Sequence, residues 1–555
     1  MLKSMNRLLT LSALMASFAA ASHAAAAQLA DNLPAGAMLT LETRDAGPAL
    51  DRLLGLVGQV GKAVGQDDLS SVTDVAGGLL KGTLGQEGVA GVFSVGTPRG
   101  GFTPALLAVA RVDAESSKFL AATLPKKPGA RIGRYTFVRG DGVFVGLSNG
   151  LAYVGSDKGL LMGYLSRLNG SAGARLNASP PYTTPRLAVG QQELGLYVNF
   201  SATARVIRSQ LGKVLLPRLL SPAVDALDTL GSYSAGFSTT GEGLSAQSAH
   251  LPNAAGKDRP LYSILTHTTD FAVQNVIPAS AVSVSAAACA PESSGYLGRW
   301  LTRFDLLDPT GFLTDSQLAA NLERSARYLG DECAQAALPG TDLPGADDLS
   351  GLNVSYQSVT DLDAARIHMP QYAAALNTAL QGVSGTLDEL YGKISALSGT
   401  GGTSSKGRVS QAQRSLQLST QAQLGTLKKS LGRLKFVYAF RGDYVVTALS
   451  EQALAAALKE GEALADDADF MAAELNVQGV SAWQYGRAPE PVTSDTFLKA
   501  LNASGQLQQA GLSEKMLAPL AESLTDLINR YKGMSSQSTV QNGLILSRSS
   551  VRYDW

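Results

Sequence analysis

The sequence predicts an α+β protein of two tandem repeats, each a mainly antiparallel sheet packed with helices, the second carrying a helical-hairpin insertion. Three observations predict it. Leu33-Pro34-Ala35-Gly36-Ala37 opens one strand-like run and Ile277-Pro278-Ala279-Ser280-Ala281 opens another. Strand and helix patterns then follow in the same order in both halves. Each half closes on a polar hairpin, with turns at Gly241-Glu242-Gly243 and Gln541-Asn542-Gly543.

In the first half, Ala37–Thr43 alternates apolar and polar residues, as a half-buried strand does. Gly47-Pro48 then starts a helix with proline at its favoured position, and Leu50, Leu53, Leu54, Val57, Val60 and Val64 recur on one face. Val89–Val95 and Ala105–Val112 read as strands, the second handing over to helix Glu115–Leu124 at Asp113, a good N-cap. Tyr135–Arg139, Val143–Leu147 and Leu151–Gly155 form a meander with tight glycine turns. Ser156 is the expected cap of the next helix, in which Leu160, Leu161, Tyr164, Leu165 and Leu168 line one face. Strand Leu194–Phe200, a long helix to about Asp228 and the closing hairpin Ser232–His250 complete the half.

The second half offers matching pieces. Leu352–Val359 before Asp361 matches Ala105–Val112 before Asp113. Phe436–Arg441 and Tyr444–Leu449 before Ser450 match the meander before Ser156, and Val480–Tyr485 with the helical Thr493–Tyr531 matches Leu194 onward. The spacing between counterparts is 244 residues at the openers, 248 at the aspartates and 294 at the serines. The second half therefore gains about 46 residues, placed near 385–433. The expected organisation is a signal peptide over 1–24, a first repeat over 28–255 and a second over 272–555.

Compartment follows from the first residues. Lys3 and Arg7 precede an apolar run, Leu8 to Ala21, and Ser22-His23-Ala24 supplies the small residues of a cleavage site. The mature chain is expected to be exported, periplasmic or envelope-associated. After processing, 44 bases face 46 acids, a balance that argues against a nucleic-acid partner. No later run reaches the length of a membrane span. Charged residues make up 17% of the chain against about 25% in ordinary soluble domains, so the surface must be rich in uncharged polar side chains. Cys289 and Cys333, the chain's two cysteines, are expected to bridge in an oxidising compartment, closing a loop worth roughly 4 kcal/mol. The alternative is two buried thiols.

Apparent catalytic motifs fail on context. Gly146-Leu147-Ser148-Asn149-Gly150 matches a nucleophile elbow, but a strand follows it where a helix is needed. Gly55 to Lys62 has the wrong spacing for a phosphate loop, and Ala63 replaces the magnesium-binding hydroxyl. Gly399–Gly407 reads as a flexible loop. His250, His267 and His368 stand in separate elements without metal-ligand spacing, and the aspartates at 305, 308, 315, 342, 347 and 348 read as turn and cap residues. No cofactor or metal is expected.

The distinctive feature is charge segregation. Tyr391 to Gly442 holds no acid but nine bases, among them Lys406, Arg408, Arg414, Lys428, Lys429 and Arg433. These six are the candidate binding residues. Two readings stand: contact with an anionic envelope component, or internal neutralisation by Glu451–Glu474, which holds seven acids and one base.

This layout resembles a family of bacterial envelope proteins defined only as a domain of unknown function. The resemblance rests on the Leu33-Pro34-Ala35 and Ile277-Pro278-Ala279 openers and the terminal hairpins. It implies an exported α+β repeat protein and carries no catalytic residues. The expected function is non-enzymatic binding or scaffolding, with an anionic component or another envelope protein as partner. A hydrolase with converging acids and a carrier of apolar ligands are the alternatives.

Overall fold

The structure is a computed structural model. It describes residues 29–44, 46–47, 87–96, 101–125, 129–140, 142–211, 217–290, 292–301, 317–339, 353–399, 434–503 and 514–555. The signal segment, the helix expected over 47–64, the phosphate-loop-like stretch and most of the inserted arm lie outside the described residues, as do the aspartates of 305–315 and 342–348. The described residues form an α+β protein of eighteen strands and thirteen α-helices, with every strand pairing antiparallel. They divide into two compact units, one running to Thr266 and including Ala488–Trp555, the other His267–Arg487.

The first unit begins with β1 (Ala37–Thr43), β2 (Gly88–Gly96) and β3 (Phe102–Arg111), followed by α1 (Ala114–Thr123). Next come β4 (Ala130–Ile132), β5 (Tyr135–Arg139), β6 (Phe144–Ser148), β7 (Leu151–Gly155), α2 (Lys158–Leu168) and α3 (Pro180–Val189). β8 (Leu194–Asn199), α4 (Phe200–Leu211), α5 (Pro217–Thr229), β9 (Ser232–Thr240), β10 (Gly243–Leu251) and α6 (Pro260–Thr266) follow. The second unit holds β11 (Ser283–Ala288), α7 (Glu292–Leu301), α8 (Leu318–Ser325), β12 (Leu329–Ala337), β13 (Val354–Val359) and α9 (Leu362–Gly399). It continues with β14 (Val437–Arg441), β15 (Tyr444–Ala448), α10 (Glu451–Leu458), α11 (Ala468–Met471) and β16 (Val480–Arg487). Helices α12 (Ser494–Ala503) and α13 (Glu514–Asn529) and strands β17 (Tyr531–Gln541) and β18 (Leu544–Tyr553) group with the first unit.

In the first unit the strands pair in the order β4-β5-β6-β7-β3-β2-β1-β8-β9-β10-β18-β17. In the second the order is β14-β15-β13-β12-β11-β16. Read in parallel, β6-β7-β3-β2-β1-β8 and β14-β15-β13-β12-β11-β16 are the same sequence of elements.

Local chemistry repeats with the order. Asp113 accepts from Ser116 N at 2.7 Å to start α1, and Asp361 accepts from Ala364 N at 2.9 Å to start α9. The cap of α2 is not Ser156 but its neighbour Asp157, which accepts from Leu160 N at 2.7 Å; Ser156 Oγ instead accepts from Leu106 N of β3. Ser450 caps α10 as expected, accepting from Ala453 N. The long helix expected after β8 is α4 and α5, the second opened by Pro217. Asn149-Gly150 and Asn542-Gly543 both take positive φ, the paired left-handed turn that closes two-residue hairpins.

One face of each sheet is the main core. In the first unit Phe93, Val109, Tyr153 and Tyr197 pack there with Leu161 and Tyr164 of α2 and Tyr182 of α3. In the second, Val284, Ala334, Tyr356, Trp483 and Tyr485 pack with Leu464 and Phe470. Tyr182 meets Tyr197 edge-on at 4.9 Å, and Phe470 meets Tyr485 edge-on at 5.3 Å. Tyr182 and Phe470, like Tyr197 and Tyr485, lie 288 residues apart.

Candidate functional site

The opposite face of the sheet differs in chemistry between the two units. Because side chains alternate along a strand, residues directly paired across strands form rows on one face. In the first unit one such row runs Leu196, Leu41, Ala90, Ala108, Val154 and Val145. At the same register the second unit's row is Gln484, Ser285, Gln335, Ser355, Thr447 and Tyr438. Apolar side chains in one are hydroxyls and amides in the other.

Packing follows the chemistry. In the first unit α1 lays Leu120 on Ala90, Ala108, Ala110, Ala152 and Val154, and α4 packs on β1 and β3 with Ala202 and Ala204 buried. The middle of the row is buried, at Ala90, Ala108 and Val154, while Leu196, Leu41 and Val145 are half-buried. In the second unit α9 covers the β15–β14 end through Ala365, Met369 and Tyr372. Over β11, β12 and β13, where α4 sits in the first unit, lies an open cavity of about 510 Å³. That volume is within the range of small-molecule sites.

Ser285, Gln335, Ser355, Gln357 and Thr447 floor the cavity, and Leu329, Met369, Tyr372 and Phe436 wall it. Asn377 of α9 fixes that wall: its amide donates to Phe436 O at 3.0 Å and accepts from Phe436 N at 2.8 Å. Phe436 then meets Tyr372 edge-on at 5.9 Å. Burial pushes the Tyr372 hydroxyl above its ordinary pKa, so it stays neutral at physiological pH. Among the described residues, the lining contains no ionisable acid or base other than tyrosine hydroxyls.

Cys289 and Cys333 form a disulfide, Cα–Cα 5.8 Å, in the cavity's lining. Its expected pairing is therefore present, and it ties the end of β11 to β12.

The other polar clusters are occupied by structural bonds. Glu42, on the core face of β1, accepts from the Tyr182 hydroxyl and from both Nε and a terminal nitrogen of Arg186. Burial lowers the Arg186 pKa, but the Glu42 carboxylate outweighs it and holds the guanidinium charged. The space beside this cluster is about 30 Å³, room for little more than water. Ala286 stands at the matching register in the second unit. Glu332 on β12 accepts from Ala272 N, Val273 N and the Tyr444 hydroxyl. In the first unit Glu87 accepts from Leu29 N and from Arg111 Nε.

Ser148, the serine of the elbow-like motif, ends β6 in a hairpin and accepts from Thr136 N and the Tyr153 hydroxyl. His250 bonds the Leu230 carbonyl, His267 stands 3.5 Å from the Asp331 carboxylate, and His368 stacks on Tyr328. Among the described residues no group of three or more metal-ligating side chains comes together, and no helix is long and apolar enough to cross a membrane.

The six predicted binding residues, Lys406, Arg408, Arg414, Lys428, Lys429 and Arg433, lie outside the described residues. Two other bases of that window are described with their side chains. Lys435 pairs with Glu451 at 2.7 Å, and Arg441 donates to Ala457 O at the end of α10. Both engage the acidic segment that follows. The first arm of the expected helical hairpin is the continuation of α9, which is 38 residues long against 10 for α1.

No protein-family profile matches the chain, and no curated protein matches it in sequence. Among solved structures it is similar to crystal forms III, I and IV of TP0453, at 12%, 12% and 13% identity. These matches cover 44% of this chain and 90%, 89% and 88% of the other, with TM-scores of 0.25, 0.23 and 0.24. At TM-scores this low the likeness fixes neither fold nor function.

Proposed function

We propose that the protein is an exported, non-enzymatic binding protein of the bacterial envelope, made by duplication of one α+β repeat, whose second copy carries the ligand seat. The observation that carries this reading is the polar row Ser285, Gln335, Ser355 and Thr447 beside an open cavity, at the register where the first unit has the apolar Leu41 and the buried Ala90, Ala108 and Val154.

Duplication is supported by the shared pairing order and by matched detail. Pro34 bridges Arg175, and Pro278 bridges Ala463; both partners of the second bridge lie at the positions that the pairing offsets assign them. Strands β10 and β18 also pair symmetrically: Gln247 faces Arg548, 301 residues on, the same offset that relates the two hairpins. Export is supported by the leader-like first residues and the bridged cysteines. Binding rather than hydrolysis is supported by the lining, whose hydroxyls, amides and rings suit recognition, while Glu42 and Glu332 are held in bonds inside packed cores. A carrier of wholly apolar ligands fits less well, because five polar side chains floor the cavity.

The test is native mass spectrometry of the protein recovered from an envelope fraction. The wild type retains a non-covalent small molecule, and Ala287→Trp, which fills the cavity from β11, does not. Equal loading, or none in either, contradicts the reading.

The basic segment supports a second reading, contact with an anionic envelope surface. The Lys435–Glu451 pair favours neutralisation for the part that is described. Charge reversal at Lys428, Lys429 and Arg433 decides the rest: unchanged sedimentation with anionic vesicles removes the surface-contact reading.

A further inference from the structure

We infer that the cavity of the second unit takes an uncharged saccharide unit, an inference that rests on that cavity being the ligand seat. Three features of the lining point the same way. The floor is made of side chains that both donate and accept hydrogen bonds: the hydroxyls of Ser285, Ser355 and Thr447 and the amide of Gln335. Sugar hydroxyls have the same double capacity, so each can be matched without a charge. The four side chains stand directly opposite one another on successive strands, so they present a continuous line of partners rather than a single anchor.

The wall supplies the second feature. Tyr372 and Phe436 set aromatic surface beside that line, held by the Asn377 clamp. A sugar ring carries C–H groups on its faces and hydroxyls on its rim, and this pairing of ring surface and polar floor accommodates both.

The third feature is charge. A phosphate or carboxylate ligand would be desolvated with no cation among the described lining residues to meet it. An acyl chain would leave the floor's hydroxyls and amide unpaired, each at the desolvation cost of a lost partner. A neutral polyhydroxylated ligand incurs neither penalty. The cavity volume of about 510 Å³ suits a mono- or disaccharide unit at the end of a glycan.

The experiment is calorimetric titration of the full mature chain with glucose, N-acetylglucosamine, maltose and chitobiose, alongside N-phenyl-1-naphthylamine as an uncharged apolar probe and inorganic phosphate. At least one saccharide binds. Gln335→Leu weakens it at least tenfold, Thr447→Val weakens it several-fold, and Ala287→Trp abolishes it. Circular dichroism and thermal unfolding of each variant match the wild type. Should only the naphthylamine bind, and Ala287→Trp block it, the seat stands and the saccharide assignment falls. Phosphate binding that Ala287→Trp blocks overturns the assignment in the same way. Saccharide binding that survives both Gln335→Leu and Ala287→Trp places the sugar elsewhere and overturns the inference. With no probe bound at all, the seat and the saccharide fall together.

Discussion

The row Leu41, Ala90, Ala108, Val154 and the row Ser285, Gln335, Ser355, Thr447 run across strands paired in the same order, yet one is apolar with its last three residues buried and the other floors a cavity. The backbone framework does not decide which. What decides is whether the side chains can be buried without partners, and whether a helix covers them. The opposite faces differ too. The first unit buries a carboxylate with its arginine and tyrosine at Glu42, where the second has Ala286 among aromatic rings. Both units bury a carboxylate on the core face, Glu42 in one and Glu332 in the other, and the polar row of the second lies on the opposite face beside the cavity.

The comparison can be broken most severely at Glu42. Glu42→Ala strands Arg186 and Tyr182 in the core and should cost about 3–5 kcal/mol in denaturant unfolding. Combining it with Arg186→Met and Tyr182→Phe imitates the second unit's apolar solution and should recover all but about 1–2 kcal/mol. A triple variant no better than the single one would show that the ion pair is more than a substitute for apolar packing.

Removing the bridge with Cys289→Ser and Cys333→Ser comes next. It should lower stability by about 2–4 kcal/mol, with amide exchange accelerating in β11 and β12 and remaining slow in β1 and β2. Equal acceleration in both units would deny the bridge a local role.

Exchanging one row residue sharpens the contrast further. Ala108→Ser buries an unpaired hydroxyl and should cost about 1–3 kcal/mol, whereas Ser355→Ala should stay within about 0.5 kcal/mol. The reverse order would mean that the second unit's face is the packed one.

The smallest effect concerns pH. Burial pushes the His250 imidazole below its ordinary pKa, against a weaker opposing pull from the Leu230 carbonyl. The unfolded chain therefore binds that proton more readily than the folded one. Stability is fully present above the ordinary imidazole range near 6.5 and declines as pH falls through it. His250→Gln should flatten that part of the profile in urea titrations between pH 7.5 and 5, and an unchanged slope would assign it to other groups.

Much of the fold was legible because its signals are local. Asn-Gly turns, aspartate caps and short apolar runs placed the openers, the meanders and both terminal hairpins. β12 was missed because Leu329–Ala337 is rich in alanine, glutamate and glutamine, which favour helices in isolation. α3 was missed because Pro180-Pro181 reads as a break, although proline is well tolerated in a first turn. Ser156 and Asp157 are both competent caps, and the sequence does not reveal that a strand amide engages the serine.

The cavity left a signal that is easy to pass over. Ala105–Ala110 is apolar without alternation, the pattern of a strand covered on both faces, while Val354–Gln357 alternates apolar and polar residues. Taking the two as equivalents hid the difference between them. The hydrogen-bond partners of Glu42 lie 140 and 144 residues away, so its burial in a run that reads as half-exposed was not legible from its neighbours, although Arg44 also stands 3.9 Å from it.

The most direct measurement compares thiol labelling at matched positions, Thr447→Cys in the second unit and Val154→Cys in the first, with iodoacetamide under native conditions. The account predicts rapid labelling at 447, slowed by bound ligand, and labelling at 154 only as the sheet opens. Similar rates at the two positions, or protection at 447 in the ligand-free protein, would contradict it.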